Sequence, residues 1–145
     1  MALTGIDVIL AEVVALFDPL VVDGTLQTNL DFPPLAEDLA GQSPILATYY
    51  DGTRIKFHGA SYSEVRHIWR IALFVNRRGH GNDNAETLTA QIVTKVIQKI
   101  RDNVAGTAYD EIALAPGLTR PLFAIIDGIP YRICEIKLES VTHDN

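Results

Sequence analysis

Residues 63–79 read SEVRHIWRIALFVNRRG, and how this stretch folds decides the architecture. In extended chain, Val65, Trp69, Ile71, Leu73 and Val75 share one face, interrupted only by His67. Glu64, Arg66, Arg70, Asn76 and Arg78 dominate the other face, mixed with Ile68, Ala72 and Phe74. Val65, Ile68, Trp69 and Ala72 also fit a helical spacing, but the β-branched and aromatic content favours a strand. From Val65 to Arg77 such a strand spans roughly 40 Å, at about 3.3 Å per residue. A compact chain of this size has a radius of gyration of only about 15 Å. The expectation is a strand that outruns its own domain and seeks a partner for its exposed backbone, a neighbouring subunit being one way to supply it.

Outward from this stretch, the spacing predicts a helix over residues 5–17, with Ile6, Ile9, Leu10, Val13, Val14 and Phe17 on one face. Thr4 is the expected cap, and Asp18–Pro19 the expected stop. Residues 20–44 read as mostly irregular, with a turn at Asp23–Gly24 and one helical turn in FPPLAEDLAG. ILATYY and TRIKFHG flank Asp51–Gly52, which predicts a two-residue hairpin with Tyr50 opposite Thr53, Thr48 opposite Ile55 and Leu46 opposite Phe57. Tyr49, Arg54, Lys56 and His58 then share the polar face.

After the polar loop RRGHGNDN, Asp83 or Asn84 caps a second helix over residues 85–102, buried through Leu88, Ile92, Val93, Val96, Ile97 and Ile100. Residues 106–119 read as a loop-rich connection. A closing hairpin turns at Asp127–Gly128, setting Ala124 opposite Tyr131 and Leu122 opposite Ile133. Beyond Ile133 the apolar residues change parity, to Cys134, Ile136 and Leu138, which implies a bulge or two buried faces. The predicted fold class is α+β: one domain over 1–145, a mostly antiparallel sheet with two helices packed on one face, and a long strand reaching a neighbour.

Composition narrows the chemistry. Of 145 residues, 48 % are hydrophobic and 21 % charged, as in an ordinary globular domain. No apolar run approaches the ~20 residues of a membrane span, and the N-terminus lacks a signal-peptide pattern. Cys134 is the single cysteine, so a disulfide framework and a cysteine zinc site are excluded, and synthesis in a cytoplasm is expected. The net charge of −6 is uneven: −8 over residues 1–53, +6 over 54–101 and −4 over 102–145. One reading is a solvated surface. The other is a subunit with an acidic and a basic side, suited to head-to-tail rings. The overall sign argues against a DNA-coating protein.

No phosphate-binding glycine loop, zinc-protease helix or Gly-x-Ser-x-Gly elbow is present. Cys134 reads as a core thiol. His58, His67 and Glu64 have the residue types of a two-histidine, one-carboxylate metal site, or are simply polar-face residues. His80 reads as a solvated loop residue. The adjacent carboxylates Asp110–Glu111 and Glu37–Asp38 need a shared pocket to do acid–base work. Arg54, Lys56, Arg66, Arg70, Arg77 and Arg78 form the most suggestive set. They suit either an interface for acidic or phosphate groups or the wet side of an open sheet. Trp69 and Tyr62 read as core or interface anchors.

The series GIDVILAEVVALF, PILATYYDGTRIKFHG, HIWRIALFVNRRG, AETLTAQIVTKVIQKI and PLFAIIDGIPYRICEIKLESV resembles the tail terminator (tail completion) proteins of long-tailed bacteriophages. The resemblance is one of architecture and size and covers most of the chain. It implies a non-enzymatic structural virion protein that needs no cofactor or metal and forms a hexameric homo-oligomeric ring. Such a ring caps the tail tube at the head-proximal end, stops its polymerisation and offers a surface to the head or neck. The implied partners are further copies of itself, the tail tube protein and a head completion or neck protein, with a passing contact to DNA in the lumen and none to a membrane. Assembly would take place in the host cytoplasm. Related neck and head–tail connector proteins are the near alternative; a small metal-dependent enzyme and a nucleic-acid-binding module are alternatives of other classes. Applied to the residues, the ring reading predicts that residues 64–78 meet the adjacent subunit, acidic N-terminal block against basic block. Charge reversal at Arg66 and Arg70 should then weaken assembly and leave the monomer folded.

Overall fold

The computed structural model describes residues 4–40, 42–59, 62–77, 82–115 and 121–144. Among the described residues four helices and six strands follow in order: α1 Ile6–Ala15, α2 Asp18–Val22, β1 Thr28–Leu30, α3 Ala36–Leu39, β2 Ile45–Gly59, β3 Tyr62–Asn76, α4 Asn82–Asp102, β4 Glu111–Leu114, β5 Pro121–Ile126 and β6 Ile129–Asp144. The six strands make one sheet in the order β1–β2–β3–β6–β4, with β5 also pairing β6. Only the short β1–β2 pair is parallel. The fold is α+β with a mostly antiparallel sheet, as the sequence predicts.

The stretch SEVRHIWRIALFVN lies in strand β3, and its alternation sets the layers. Trp69, Ile71, Leu73 and Val75 point to an inner face, where they meet Ile9, Val13 and Phe17 of the α1 segment and Ile92, Val96 and Ile100 of α4. Both long helices therefore lie on one face. Each such large apolar side chain, fully buried, contributes roughly 1.5–3 kcal/mol. The opposite, outer face holds a second, smaller core of Leu39, Ile45, Ala47, Ala72, Phe74, Tyr131 and Ile133, with Leu30, Ala124, Ile126 and Ile129 packed around it. This second core explains the parity change in β6. The β3–β6 register runs without a break from Asn76↔Tyr131 to Ser63↔Asp144, so there is no bulge. Tyr131 and Ile133 serve the outer core, whereas Cys134, Ile136 and Leu138 serve the inner one.

β3 finds strand partners on both of its edges within the chain. β2 flanks it from Ile45↔Phe74 to Gly59↔Tyr62, and β6 flanks it on the other side along almost its whole length. Its backbone groups are paired within the protomer on both edges. The three long strands form one ribbon about 50 Å long. It is this ribbon, not β3 alone, that outruns the helices.

Asp51–Gly52 is not a hairpin turn. β2 continues through it, and the register steps from Tyr50↔Trp69 to Gly52↔Ile68, leaving Asp51 as the extra residue of a bulge. Gly52 takes φ +136°, a conformation that disfavours a side chain. A two-residue turn and a one-residue bulge both leave Tyr50 and Thr53 on the same face. The predicted face sets therefore survive although the pairing does not. The competing signal is β3, whose length offers β2 a partner through Gly59. The β2–β3 pairing runs on to Gly59↔Tyr62.

The closing hairpin matches its predicted register, Ala124↔Tyr131 and Leu122↔Ile133, around Asp127 and Gly128, both at positive φ. The Asp23–Gly24 turn is present, with Thr25 N–H donating to Asp23 Oδ1 at 2.9 Å. Elsewhere the boundaries shift. α1 ends at Ala15, and Pro19 lies in the first turn of α2, where its missing N–H costs nothing. Gly5, not Thr4, occupies the α1 N-cap, with no side-chain bond. α4 begins at Asn82, so Asp83 and Asn84 lie inside its first turn. β1 and β4 are too short for a periodic signal, and β4 forms only because β6 offers an edge.

Candidate assembly surface

The outer face of the ribbon is a ladder of ion pairs. Arg66 Nε lies 2.9 Å from Glu64 Oε2, and its Nη1 lies 3.1 Å from Glu139 Oε2. Arg70 reaches Asp51 at 3.4 Å and Glu135 at 3.5 Å. Lys137 lies 3.8 Å from Asp51 and Arg54 3.8 Å from Glu139. The Glu64 hydrogen bond, followed by Glu139, holds the Arg66 guanidinium above its usual pKa. Burial opposes the charge on Arg70, but Asp51 and Glu135 outweigh it and raise its pKa as well. His143 lies between Asp110, at 3.0 Å, and Glu64, at 3.6 Å.

This ladder gives two of the predicted interface residues, Arg66 and Arg70, partners within the protomer. Arg66 and Arg70 belong to the basic block, and their partners Glu135 and Glu139 to the acidic C-terminal block, with Asp51 from the N-terminal one. β3 lies between β2 and β6, so these two arginines are compensated by neighbouring strands of their own protomer. Reversing Arg66 and Arg70 would therefore cost some stability within the protomer, limited by solvent screening. Trp69 is 0 % exposed, with Nε1 donating to Ser140 Oγ at 2.8 Å, so it is a core residue and offers no surface. Arg77 is half-buried, its guanidinium 4.8 Å over the Phe123 ring. Arg78 and His80 lie outside the described residues, as does the side chain of Tyr62.

The metal-site triad does not form. Alternation places Glu64 on the outer face and His67 on the inner one, where His67 Nδ1 bonds Thr53 Oγ1 at 2.8 Å. Tyr50 hydroxyl bonds the same Thr53 oxygen, and burial lowers the His67 pKa. The side chain of His58 lies outside the described residues. Among the described residues no group of three or more His, Cys, Asp or Glu side chains is placed to hold a metal ion. Cys134 is buried, and burial pushes its thiol pKa up. Asp110 accepts from His143 N–H at 2.7 Å, and Asp38 accepts from Leu35 N–H at 2.8 Å, so each adjacent carboxylate pair has one member engaged with backbone. Among the described residues no helix is long and apolar enough to cross a membrane.

What the ribbon leaves open is the outer edge of β2. β1 covers it only at Ile45–Ala47. From Thr48 to Gly59 no strand among the described residues pairs with it. Its side chains are exposed on both faces: Ile55 (56 %) and Phe57 (77 %) on the inner side, Arg54 and Lys56 on the outer. A long, bare, partly apolar edge is the usual template for added β-pairing. A second exposed apolar group lies at the root of the same edge, in the loop after β1. Phe32 (43 %) and Leu35 (63 %) stand there among Asp31, Glu37 and Asp38. Sequence reasoning named Arg54 and Lys56 but missed their setting. The alternation TRIKF is visible in the sequence, but Asp51–Gly52 before it reads as a hairpin turn and so places it as a return strand paired with ILATYY. No protein-family model matches the chain, and no curated protein sequence matches it.

Proposed function

We propose that the chain is a structural, non-catalytic protein that works as a closed ring of identical copies, in the manner of a bacteriophage tail terminator. The ring would cap the tail tube, stop its growth and present a surface to the head or neck. The observation that carries this reading is the outer edge of β2 from Thr48 to Gly59, which has no strand partner among the described residues and is lined by Ile55 and Phe57. A monomer gains nothing from keeping such an edge open, and natural sheets guard or pair theirs. An association that uses different patches on the two copies closes into a ring when its rotation allows. The α+β layering and the ion-paired ribbon support the same reading: they make a stiff unit whose chemistry is spent on holding shape.

The test is the native mass of the purified protein, followed by electron microscopy of its own virus's tail tube protein polymerising in its presence. The expected result is a ring of about six copies, as the resemblance implies, and tubes blocked at one end. A monomer at high concentration, or tubes that grow unaffected, would overturn the proposal.

A further inference from the structure

The ring reading does not say which surfaces meet, and the two exposed apolar groups on the β2 edge supply an answer that rests on it. We infer that the β2 tip, residues Arg54, Ile55, Lys56 and Phe57, docks on the Asp31–Asp38 loop of the next copy. Three observations converge. Both groups expose apolar side chains that their own protomer leaves uncovered: Ile55 and Phe57 at the tip, Phe32 and Leu35 in the loop. Their charges are opposite. Lys56 has no ion-pair partner among the described residues, and Arg54 has only the distant Glu139 contact. Asp31 and Glu37 likewise have no cationic partner among the described residues, whereas most charges along the ribbon are compensated. Finally, the two groups cannot meet within one protomer. Leu30, just before the loop, pairs with Ala47, and Phe57 lies about 30 Å farther along the same strand.

A tip and a socket at opposite ends of one edge make a head-to-tail contact, which is the kind that closes a ring. Apolar burial supplies most of the affinity, since exposed ion pairs are individually weak; the charges set direction and exclude tip-to-tip pairing. A nucleic acid is disfavoured by the apolar side of the tip. A lipid surface is disfavoured because it would leave the acidic loop unused.

The experiment is sedimentation of the wild type and four variants, with circular dichroism to confirm that each stays folded. Phe57→Asp should weaken self-association at least tenfold. Lys56→Glu and Glu37→Lys should each weaken it about fivefold, and the double variant should regain most of the loss. If the wild type assembles and Phe57→Asp assembles equally well, the docking is overturned while the ring reading stands. If the swap fails to rescue although both single variants weaken assembly, the pairing of tip with loop is overturned. A wild-type monomer overturns both readings. A symmetric dimer, or Phe57-dependent binding to anionic vesicles without self-association, overturns the docking.

Discussion

The two halves of the central ribbon are built from the same three strands with the same pairing, yet they differ in what covers them. In the proximal half, Leu46, Ile71, Leu73 and Ile136 lie under α1 and α4, while Ala47, Phe74 and Ile133 lie under α3 and the closing hairpin. In the distal half, beyond the bulge at Asp51, the β2 side chains face solvent on both sides. Backbone pairing alone thus holds a strand in place but does not bury it. The helices end before the ribbon does, and the alternation of apolar and polar residues continues past them. That continuation is costly for a lone protomer and suits one that meets another surface.

The sharpest way to break this comparison is to empty the covered half. Trp69→Ala removes the largest buried side chain and the bond to Ser140, and should cost about 3–5 kcal/mol in urea unfolding. Phe57→Ala in the open half should change stability by no more than about 0.5 kcal/mol. If the two costs are similar, the tip is covered within the protomer and the contrast fails.

The boundary between the halves is the next target. Gly52→Val forces a side chain into φ +136° at the bulge, and should cost about 1–3 kcal/mol by thermal unfolding. A neutral outcome would mean that β2 does not bulge there.

A smaller effect is expected on the ladder that ties the halves together. Arg66→Glu sets three carboxylates together with Glu64 and Glu139. Because Arg66 is partly exposed, solvent screening limits the loss to about 1 kcal/mol at low salt, and less at high salt. If that variant stays as stable as the wild type yet loses assembly, the arginine is an interface residue after all.

The smallest effect is a pH dependence. The His67 pKa in the folded protein is lowered from 6.5 by burial, so the unfolded state takes up the proton first. Stability should therefore hold above pH 6.5 and fall as pH drops below it, by a small fraction of the about 1.4 kcal/mol per pH unit that a whole proton would give. Urea midpoints between pH 7.5 and 5.5 should show this slope for the wild type, and His67→Gln should lack that component. Equal slopes would place His67 in contact with water.

Much of the covered half was legible in the sequence. The stripe from Leu88 to Ile100, the alternation from Trp69 to Val75 and the Asp127–Gly128 turn each answer to local periodicity or local turn chemistry. The site was less legible. Arg66 and Arg70 were visible as a charged face, but their partners lie on β6, far along the chain, and no local pattern announces a β3–β6 register. The short strands β1 and β4 carry no periodic signal and form because a longer strand offers an edge.

By itself the sequence determined which residues share a face, because side-chain alternation depends only on the extended backbone. It also determined where the two long helices and the final hairpin lie, through spacing and turn residues within a short span. Only the tertiary structure decided which strand neighbours which. It turned Asp51–Gly52 from a turn into a bulge, paired β3 on both edges and left most of the outer edge of β2 without a strand partner among the described residues. The physical reason is that pairing is a competition among distant strands for the same backbone hydrogen bonds, and its outcome depends on what the whole chain can bury at once.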